Sequence, residues 1–274
     1  MRKLMTILMA STALAACATT TADQAATPPE VVTAAARDAE TARLNQWFEE
    51  KFEEQLAFSP IQQTFLGRKT SYGEIDDFSI EAQDAQLDWQ RQTVADLKAN
   101  FDYDMLTPAA QISYDIWVNQ LERAEASLPF RDNNYIFDQM SAVHSFFPQL
   151  LITFHSVENR SDMEAYISRI GESARGIRQL IALSQRGAEV GVRPPRFAFK
   201  QVITEAEAII SGAPFDNSGE DSDIWADVKS EIAALQEAEK IDEATAAEEL
   251  SLMFKRLVFL HATLLLTLAG CSGQ

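Results

Sequence analysis

The feature that most constrains the fold is an apolar stretch that opens the chain and is followed by a body without cysteine. Residues 1–17 read MRKLMTILMASTALAAC, in which Arg2 and Lys3 precede an apolar run from Leu4 to Ala16. A basic start, an apolar run and small residues at its end predict a secretory signal peptide. The alternatives are a transmembrane helix, for which the run falls short of the roughly 20 apolar residues needed, and a buried core helix. A core helix would need neither the basic pair nor the small residues at the end.

The last four residues of this segment, Leu14-Ala15-Ala16-Cys17, resemble the lipobox of bacterial lipoproteins. The resemblance implies that Cys17 is the lipid-attachment site and the first residue of the mature protein. Each buried CH₂ group of an acyl chain contributes about 0.8 kcal/mol, so several chains on one cysteine would hold the protein firmly to a membrane. The residue after the cysteine is Ala18 and not Asp. In lipoproteins of a Gram-negative host, this resembles the signal for the outer membrane, where the protein would face the periplasm.

Composition indicates a globular body that is held together by packing alone. Of 274 residues, 46% are apolar and 23% are charged, which is ordinary for a protein with a real core. The two cysteines, Cys17 and Cys271, lie at opposite ends, so an exported body would have no disulfide framework. The formal charge of -18 disfavours nucleic acid as a partner. Solubility alone is the simplest reason for the acidity.

The hydrophobic pattern divides the chain into four parts. Residues 1–17 are the signal peptide, residues 18–30 (ATTTADQAATPPE) are a flexible tether rich in Thr, Ala and Pro, residues 31–252 are a helical domain, and residues 253–274 are an apolar tail. Apolar residues in the domain recur at helical spacing, and no stretch alternates as strands do. We therefore predict an all-α fold, an irregular multi-helix bundle of about eight helices. The predicted helices cover 31–58, 60–66, 80–100, a segment beginning at 108, 161 to 187 or 191, 196–211, 224–240 and 243–250.

Local signals predict where several of these helices begin and which faces they bury. Ser79 is expected to cap one helix, and Thr107 followed by Pro108 to begin another. Ser161 with Glu164 predicts a capping box, and Pro148 predicts a kink or two short helices within residues 138–157. The helix after Pro108 is expected to place its apolar residues towards its neighbours; they are Ile112, Tyr114, Ile116, Trp117, Val118 and Leu121.

The order of these motifs resembles the N-terminal half of the bacterial domain of unknown function 885 family, from about Trp47 to Leu250. The matching stretches are Ser59-Pro60, Thr64-Phe65-Leu66-Gly67, Ile75-Asp76-Asp77-Phe78-Ser79, Leu106-Thr107-Pro108 with Tyr114-Asp115, SDMEAY at 161–166 and GAEVGVRPP at 187–195. The resemblance implies a mostly helical, exported or lipid-anchored relative of zinc metallopeptidases. It further implies that the zinc-binding residues of full-length relatives lie in a C-terminal half that would begin about where this chain stops.

The spacing of the histidines in this chain does not match a zinc site of that kind. A metallopeptidase zinc ion needs three protein ligands, commonly two histidines one helical turn apart. The three histidines are His144, His155 and His261, and none has another three or four residues away. His144 and His155 could converge in space, but histidines in apolar layers are more often satisfied by backbone or water. We therefore expect no metal, no cofactor and no catalytic residue in this chain.

Acidic pairs offer a weaker alternative for catalysis. Asp76-Asp77 and Glu49-Glu50 could act as general acid and base, but adjacent carboxylates on turns and helix faces are commonly solvated charge. The chain also contains no nucleophile elbow around a serine and no glycine-rich phosphate loop.

The tail repeats the design of the first segment. From Met253 it reads MFKRLVFLHATLLLTLAGCSGQ, with a basic pair, an apolar run and Leu268-Ala269-Gly270-Cys271 at its end. We expect a second lipoprotein signal here, joined in frame to a family member that has been cut short. A C-terminal membrane anchor or a buried helix is the alternative, since about 14 apolar residues are few for a bilayer and ample for a core helix.

Two functional classes follow from the sequence. The first is a membrane-anchored lipoprotein that is a truncated, catalytically silent relative of a zinc peptidase-like family. The second is a lipid-anchored helical binding module that holds a peptide or another envelope partner in a groove between helices.

Overall fold

The computed structural model describes residues 33–140, 143–236 and 242–248, and within them the chain is mostly helical. These ranges contain no β-strand, only an isolated bridge between Ala213 and Asp221, and the predicted all-α fold is confirmed. The α-helices are α1 (Ala34–Leu56), α2 (Pro60–Phe65), α3 (Ile80–Asn100), α4 (Pro108–Ser127), α5 (Val143–Gln149), α6 (Arg160–Glu189), α7 (Arg196–Ile209) and α8 (Asp223–Ala234).

A further helical stretch, 243–248, follows α8. None of the helices in the described ranges is long and apolar enough to cross a bilayer. The predicted signal peptide (1–17), tether (18–30) and apolar tail (253–274) lie outside the described residues.

Polar side chains cap the first turns of α3 and α4, where the sequence predicts them. The Ser79 hydroxyl accepts the N–H of Ala82 at the start of α3, and the Thr107 hydroxyl accepts the N–H of Ala110 at the start of α4. Each bond satisfies one of the N–H groups that a first helical turn leaves without a partner. Pro108 occupies the first position of α4, where its missing N–H costs nothing.

The predicted capping box at the start of α6 is wrong. The cap is Asn159, which has an extended backbone and accepts the N–H of Asp162 at 3.0 Å. Ser161 lies inside the first turn and is exposed. Asparagine caps a helix at least as well as serine, so the helix starts one residue before Ser161.

Other helix ends differ from the prediction by a few residues. The helix α8 ends at Ala234, because Leu235 turns to an extended conformation, whereas the sequence pattern continues to residue 240. At Pro148, inside α5, the chain lacks one donor, and α5 gives way to a π-helical turn at Leu150–Phe154. The predicted irregularity at this proline is therefore confirmed.

Two hydrophobic clusters hold the helices together. The larger surrounds α6, whose apolar face packs against α5, α7, α8 and the segment between α2 and α3; its fully buried members include Phe137, Phe147, Met163, Tyr166, Ile170, Phe199 and Val228. The smaller joins α1, α3 and α4 around Leu44, Leu97, Phe101, Leu106, Ala110 and Tyr114. The aromatic rings of Trp47, Phe48 and Trp117 pack against this second cluster within about 5.5 Å of one another.

The predicted inner face of α4 is partly wrong. Ala110 and Tyr114 face the smaller cluster, whereas Ile112 and Ile116 are 61% and 53% exposed. Successive helical residues are separated by about 100°, so Ile112 and Tyr114 point to nearly opposite sides of the helix. Both could not face the same core, and the larger ring occupies it.

Replacement of Asn159 by alanine is expected to lower the free energy of unfolding by about 1 kcal/mol, because the first turn of α6 loses its cap. The matched control is Ser161→Ala, which should change that free energy by less than about 0.5 kcal/mol. Urea titration of both variants, followed by circular dichroism, measures the two values. A larger loss for Ser161→Ala than for Asn159→Ala would contradict the assignment of the cap.

Candidate functional site

A buried arginine occupies the centre of the larger cluster. Arg169 lies in the middle of α6 and exposes no surface. Its Nε–H donates to the carbonyl oxygen of Glu74 at 2.9 Å, and its Nη2 group donates to the Thr64 hydroxyl and to the carbonyl oxygen of Pro60. Because α6 carries the arginine and these acceptors lie on α2 and the loop after it, one side chain ties three segments together.

The charge of this arginine is compensated mainly by neutral acceptors. Burial lowers the pKa of Arg169 to about 10, while the charges of Tyr72 and Asp76 act in the opposite direction. The guanidinium therefore stays protonated at neutral pH. Its central carbon also lies 4.9 Å from the centroid of the Tyr72 ring, which adds a cation–π contact.

His155 is the partner of Arg169 on its third side. Its Nδ1 accepts an N–H of Arg169 at 3.1 Å, so Nε2 carries the imidazole proton and donates to the carbonyl oxygen of Asp162 at 2.9 Å. The ring stacks on Tyr72 with 3.9 Å between centroids. Burial, and then the positive charge of Arg169, lower the pKa of His155 to about 4.

The loop that carries Tyr72 is held at two further points. The Tyr72 hydroxyl donates to the carbonyl oxygen of Ser156 at 3.0 Å and accepts the N–H of the same residue. Lys69 forms an ion pair of 2.8 Å with Asp162, whose carboxylate also accepts the N–H of Glu158. These bonds hold the loop against residues 156–162, and so they keep the Tyr72 ring stacked on the His155 imidazole.

His144 lies in a separate environment. It is fully buried on α5, and its Nε2–H donates to a carboxylate oxygen of Glu205 on α7 at 2.9 Å. Its Nδ1 has no hydrogen-bond partner among the described residues. Burial lowers the pKa of His144, while Glu205 and Asp138 act against that effect.

The structure does not bring the two histidines together as ligands of one centre. His155 has both nitrogens engaged, with Arg169 and a carbonyl oxygen, whereas His144 is bonded to Glu205. A base that is buried and has a pKa of about 4 is poorly matched to proton transfer at neutral pH. Across 33–140, 143–236 and 242–248, no group of three His, Cys, Asp or Glu side chains could hold a metal ion.

The acidic pairs have local structural roles. The Asp76 carboxylate accepts the Ser59 hydroxyl and the N–H of Ile61, and burial raises its pKa. Asp77 accepts the N–H of Ser79 and an N–H of Gln179, and the first of these bonds is the main cause of its lowered pKa.

The pair Glu49-Glu50 also lacks the setting of a general acid and base. It lies on the exposed side of α1, where Glu50 accepts a hydrogen bond from Gln46.

Two open grooves of the described residues lie on the smaller cluster. A groove of about 460 Å³ runs between α1 and α4 and is mainly apolar; its lining is Phe48, Glu49, Phe52, Ser113, Ile116 and Trp117. A larger, more polar groove of about 1050 Å³ lies on the other side of α4, next to α3, and includes Lys98, Ile112, Asp115, Glu122 and Arg123. Neither groove is lined by a histidine.

Sequence reasoning missed Arg169 and Tyr72. A usable signal was present, because Arg169 lies among the apolar residues Tyr166, Ile170 and Ile177 on the inner face of α6. A charged residue on an otherwise buried face demands partners. The sequence does not say which residues those partners are, because they lie far away along the chain.

This all-α architecture, built on a long central helix with a loop locked to it by a buried arginine, defines a helical bundle protein. Residues 60–262 match the family described as "Bacterial protein of unknown function (DUF885)". The match spans most of the chain, so the protein belongs to this family. No curated protein and no solved structure matches the chain significantly.

The boundary of the family match bears on the tail. The match runs to residue 262 and therefore overlaps residues 253–262, the part of the tail that was expected to open a second signal. It also covers both described histidines and the whole of the Arg169 centre.

The stability of the fold is expected to fall between pH 6.5 and pH 4. The unfolded chain takes up a proton on His155 near pH 6.5, whereas the folded chain does so only near pH 4. The stabilisation is thus fully present above pH 6.5 and is lost as the pH falls, by about 2 kcal/mol at pH 5. His144, whose pKa is also lowered, contributes in the same direction.

Urea titrations at pH 7, 6 and 5 measure this dependence, and His155→Gln provides the comparison. Removal of the imidazole is expected to flatten the dependence by at least half. An unchanged slope in the variant would show that His155 is protonated equally in both states.

Proposed function

We propose that this protein is an exported, lipid-anchored member of its family, whose helical body is catalytically silent in zinc-dependent hydrolysis. The observation that carries the proposal is Leu14-Ala15-Ala16-Cys17 at the end of a basic and apolar opening segment. Cys17 would receive the lipid, and the polar tether 18–30 would separate the lipid from α1. In a Gram-negative host, the protein would lie on the outer membrane and face the periplasm.

Catalytic silence is supported by how the described imidazoles are used. A zinc ligand needs a free nitrogen lone pair that points at the ion. The Nδ1 lone pair of His155 accepts an N–H of Arg169, and its Nε2–H is directed at a carbonyl oxygen. His144 retains a free Nδ1, but this atom is fully buried, out of reach of a substrate. We propose that both histidines serve the fold.

A lipid-anchored binding module is the second candidate function. It is favoured by the apolar groove between α1 and α4, where Phe52 is 40% exposed beside the exposed Ile116. Exposed apolar surface of this kind is typical of sites that bind another protein. A module of this kind would hold its partner by burying apolar area and would need no metal.

Replacement of Cys17 by serine is expected to abolish acylation and release the protein from the membrane fraction. Labelling of cells with a radioactive fatty acid, followed by fractionation, measures both effects. The matched control is Cys271→Ser, which should leave the label and the fractionation unchanged. Label that persists in Cys17→Ser and disappears in Cys271→Ser would place the anchor at the other end of the chain.

The purified full-length protein is expected to contain no stoichiometric zinc and to leave a mixed peptide pool intact. Metal analysis and mass spectrometry of the pool measure the two quantities. About one zinc ion per chain, together with peptide turnover that chelation abolishes, would overturn the proposal of catalytic silence. His144→Gln would then identify whether the free Nδ1 is a ligand.

A further inference from the structure

The outer face of α4 carries an apolar ridge with a groove on each side. Ile112 and Ile116, one helical turn apart, form this ridge and are both more than half exposed. The α1–α4 groove lies on one side and the α3–α4 groove on the other. Helices pack by placing the ridges of one surface into the grooves of another. This face therefore has the shape of a helix-packing surface that no other described helix covers.

A surface that presents a ridge beside a groove can be complementary to itself. Under a twofold axis, the ridge of each copy enters the groove of the other, and the same patch serves both. The groove offers Phe48, Phe52 and Trp117 to an entering isoleucine side chain. Aromatic and aliphatic side chains of this kind form the centres of protein interfaces.

The charged residues beside the ridge favour a second copy of this chain over a partner that carries charge of a single sign. The acidic Glu49 lines the α1–α4 groove, whereas the basic Lys98 and Arg123 and the acidic Glu122 line the α3–α4 groove on the other side of the ridge. No ion pair joins any of them to another residue of the described ranges. A uniformly cationic or anionic partner would meet repulsion at two of the four. A copy of the same face brings both signs to the interface.

We propose that two copies of this chain associate through α4, with the Ile112–Ile116 ridge of each seated in the α1–α4 groove of the other. The inference rests on the second candidate function, since it names the occupant of the same groove. The net charge of -18 on each copy opposes association. Added salt shortens the screening length from about 10 Å at 0.1 M to about 3 Å at 1 M and should favour the pair.

Cysteine cross-linking of the full chain in cells tests the proposal. In a Cys271→Ser background, Cys17 is the one native cysteine left and stays available as the lipid anchor, so the parent chain without an added cysteine supplies the background and Ile116→Cys reports on this face. The matched control is Phe197→Cys on α7, a large apolar residue that is 65% exposed on another surface. Oxidation is expected to give a disulfide-linked species of twice the chain mass for Ile116→Cys, roughly tenfold more than for Phe197→Cys.

A second substitution separates a specific interface from collision. Ile112→Asp in the Ile116→Cys chain should reduce the cross-linked species roughly tenfold, since a carboxylate would enter an apolar groove. Ile112 is exposed, so the helical circular dichroism and melting temperature of the purified variant should be unchanged. Equal cross-linking of Ile116→Cys and Phe197→Cys, or no effect of Ile112→Asp, would overturn the proposal.

A second cross-linking treatment, analysed on the same gel, tests the binding-module function separately. A bifunctional thiol-to-amine reagent on Ile116→Cys captures partners that lack cysteine. Cross-links of Ile116→Cys to proteins of other masses, without the double-mass species, would overturn self-association and leave the binding module standing. No cross-link of any kind from Ile116→Cys would overturn both.

Discussion

The hydrogen bonds of the buried Arg169 guanidinium are the interaction on which the larger part of the structure depends. A buried charge is tolerated only when its donors are satisfied. Here the donors meet Glu74, Thr64, Pro60 and His155, which belong to four points spread over nearly a hundred residues of chain. Loss of the guanidinium would leave several buried acceptors without donors at once. The centre therefore fixes how α2, the following loop and the turn at His155 sit on α6.

The loop between α2 and α3 also packs closely against α6 near Arg169. At Gly176, two turns further along α6, an added Cβ would lie 2.7 Å from a methyl carbon of Ile75 and 2.9 Å from the ring of Phe147. A larger residue at this position would force the Ile75 methyl group and the Phe147 ring to shift. The loop between α2 and α3 is thus part of the core, and its charged residues Arg68 and Lys69 pair with Glu53 on α1 and Asp162 on α6. A site that binds anything from solution is better sought on the surface of the α1–α3–α4 cluster.

Prediction from the sequence succeeded where the signal is local. The starts of α3 and α4 follow from Ser79, Thr107 and Pro108, since a cap and its helix are within three residues of each other. Prediction failed where two local signals compete, as when Asn159 rather than Ser161 caps α6. It also failed on the face of α4, because Ile112 and Tyr114 are both apolar but point to nearly opposite sides of the helix. The proposed roles of Cys17 and of the tail rest on sequence pattern alone, since both lie outside the described residues.

The sequence by itself determined the all-α class, the order of the helices and the membership in a family, because helical periodicity, caps and motif order are properties of neighbouring residues. Only the tertiary structure decided which polar groups share the core. Arg169 and Thr64 are 105 positions apart, and His155 proved to be a hydrogen-bond partner of the arginine. The tertiary structure also decided that Ile112 and Ile116 face outward, because burial depends on where α1 and α3 lie. Contacts of that kind follow from the global arrangement of helices, which no short stretch of sequence encodes.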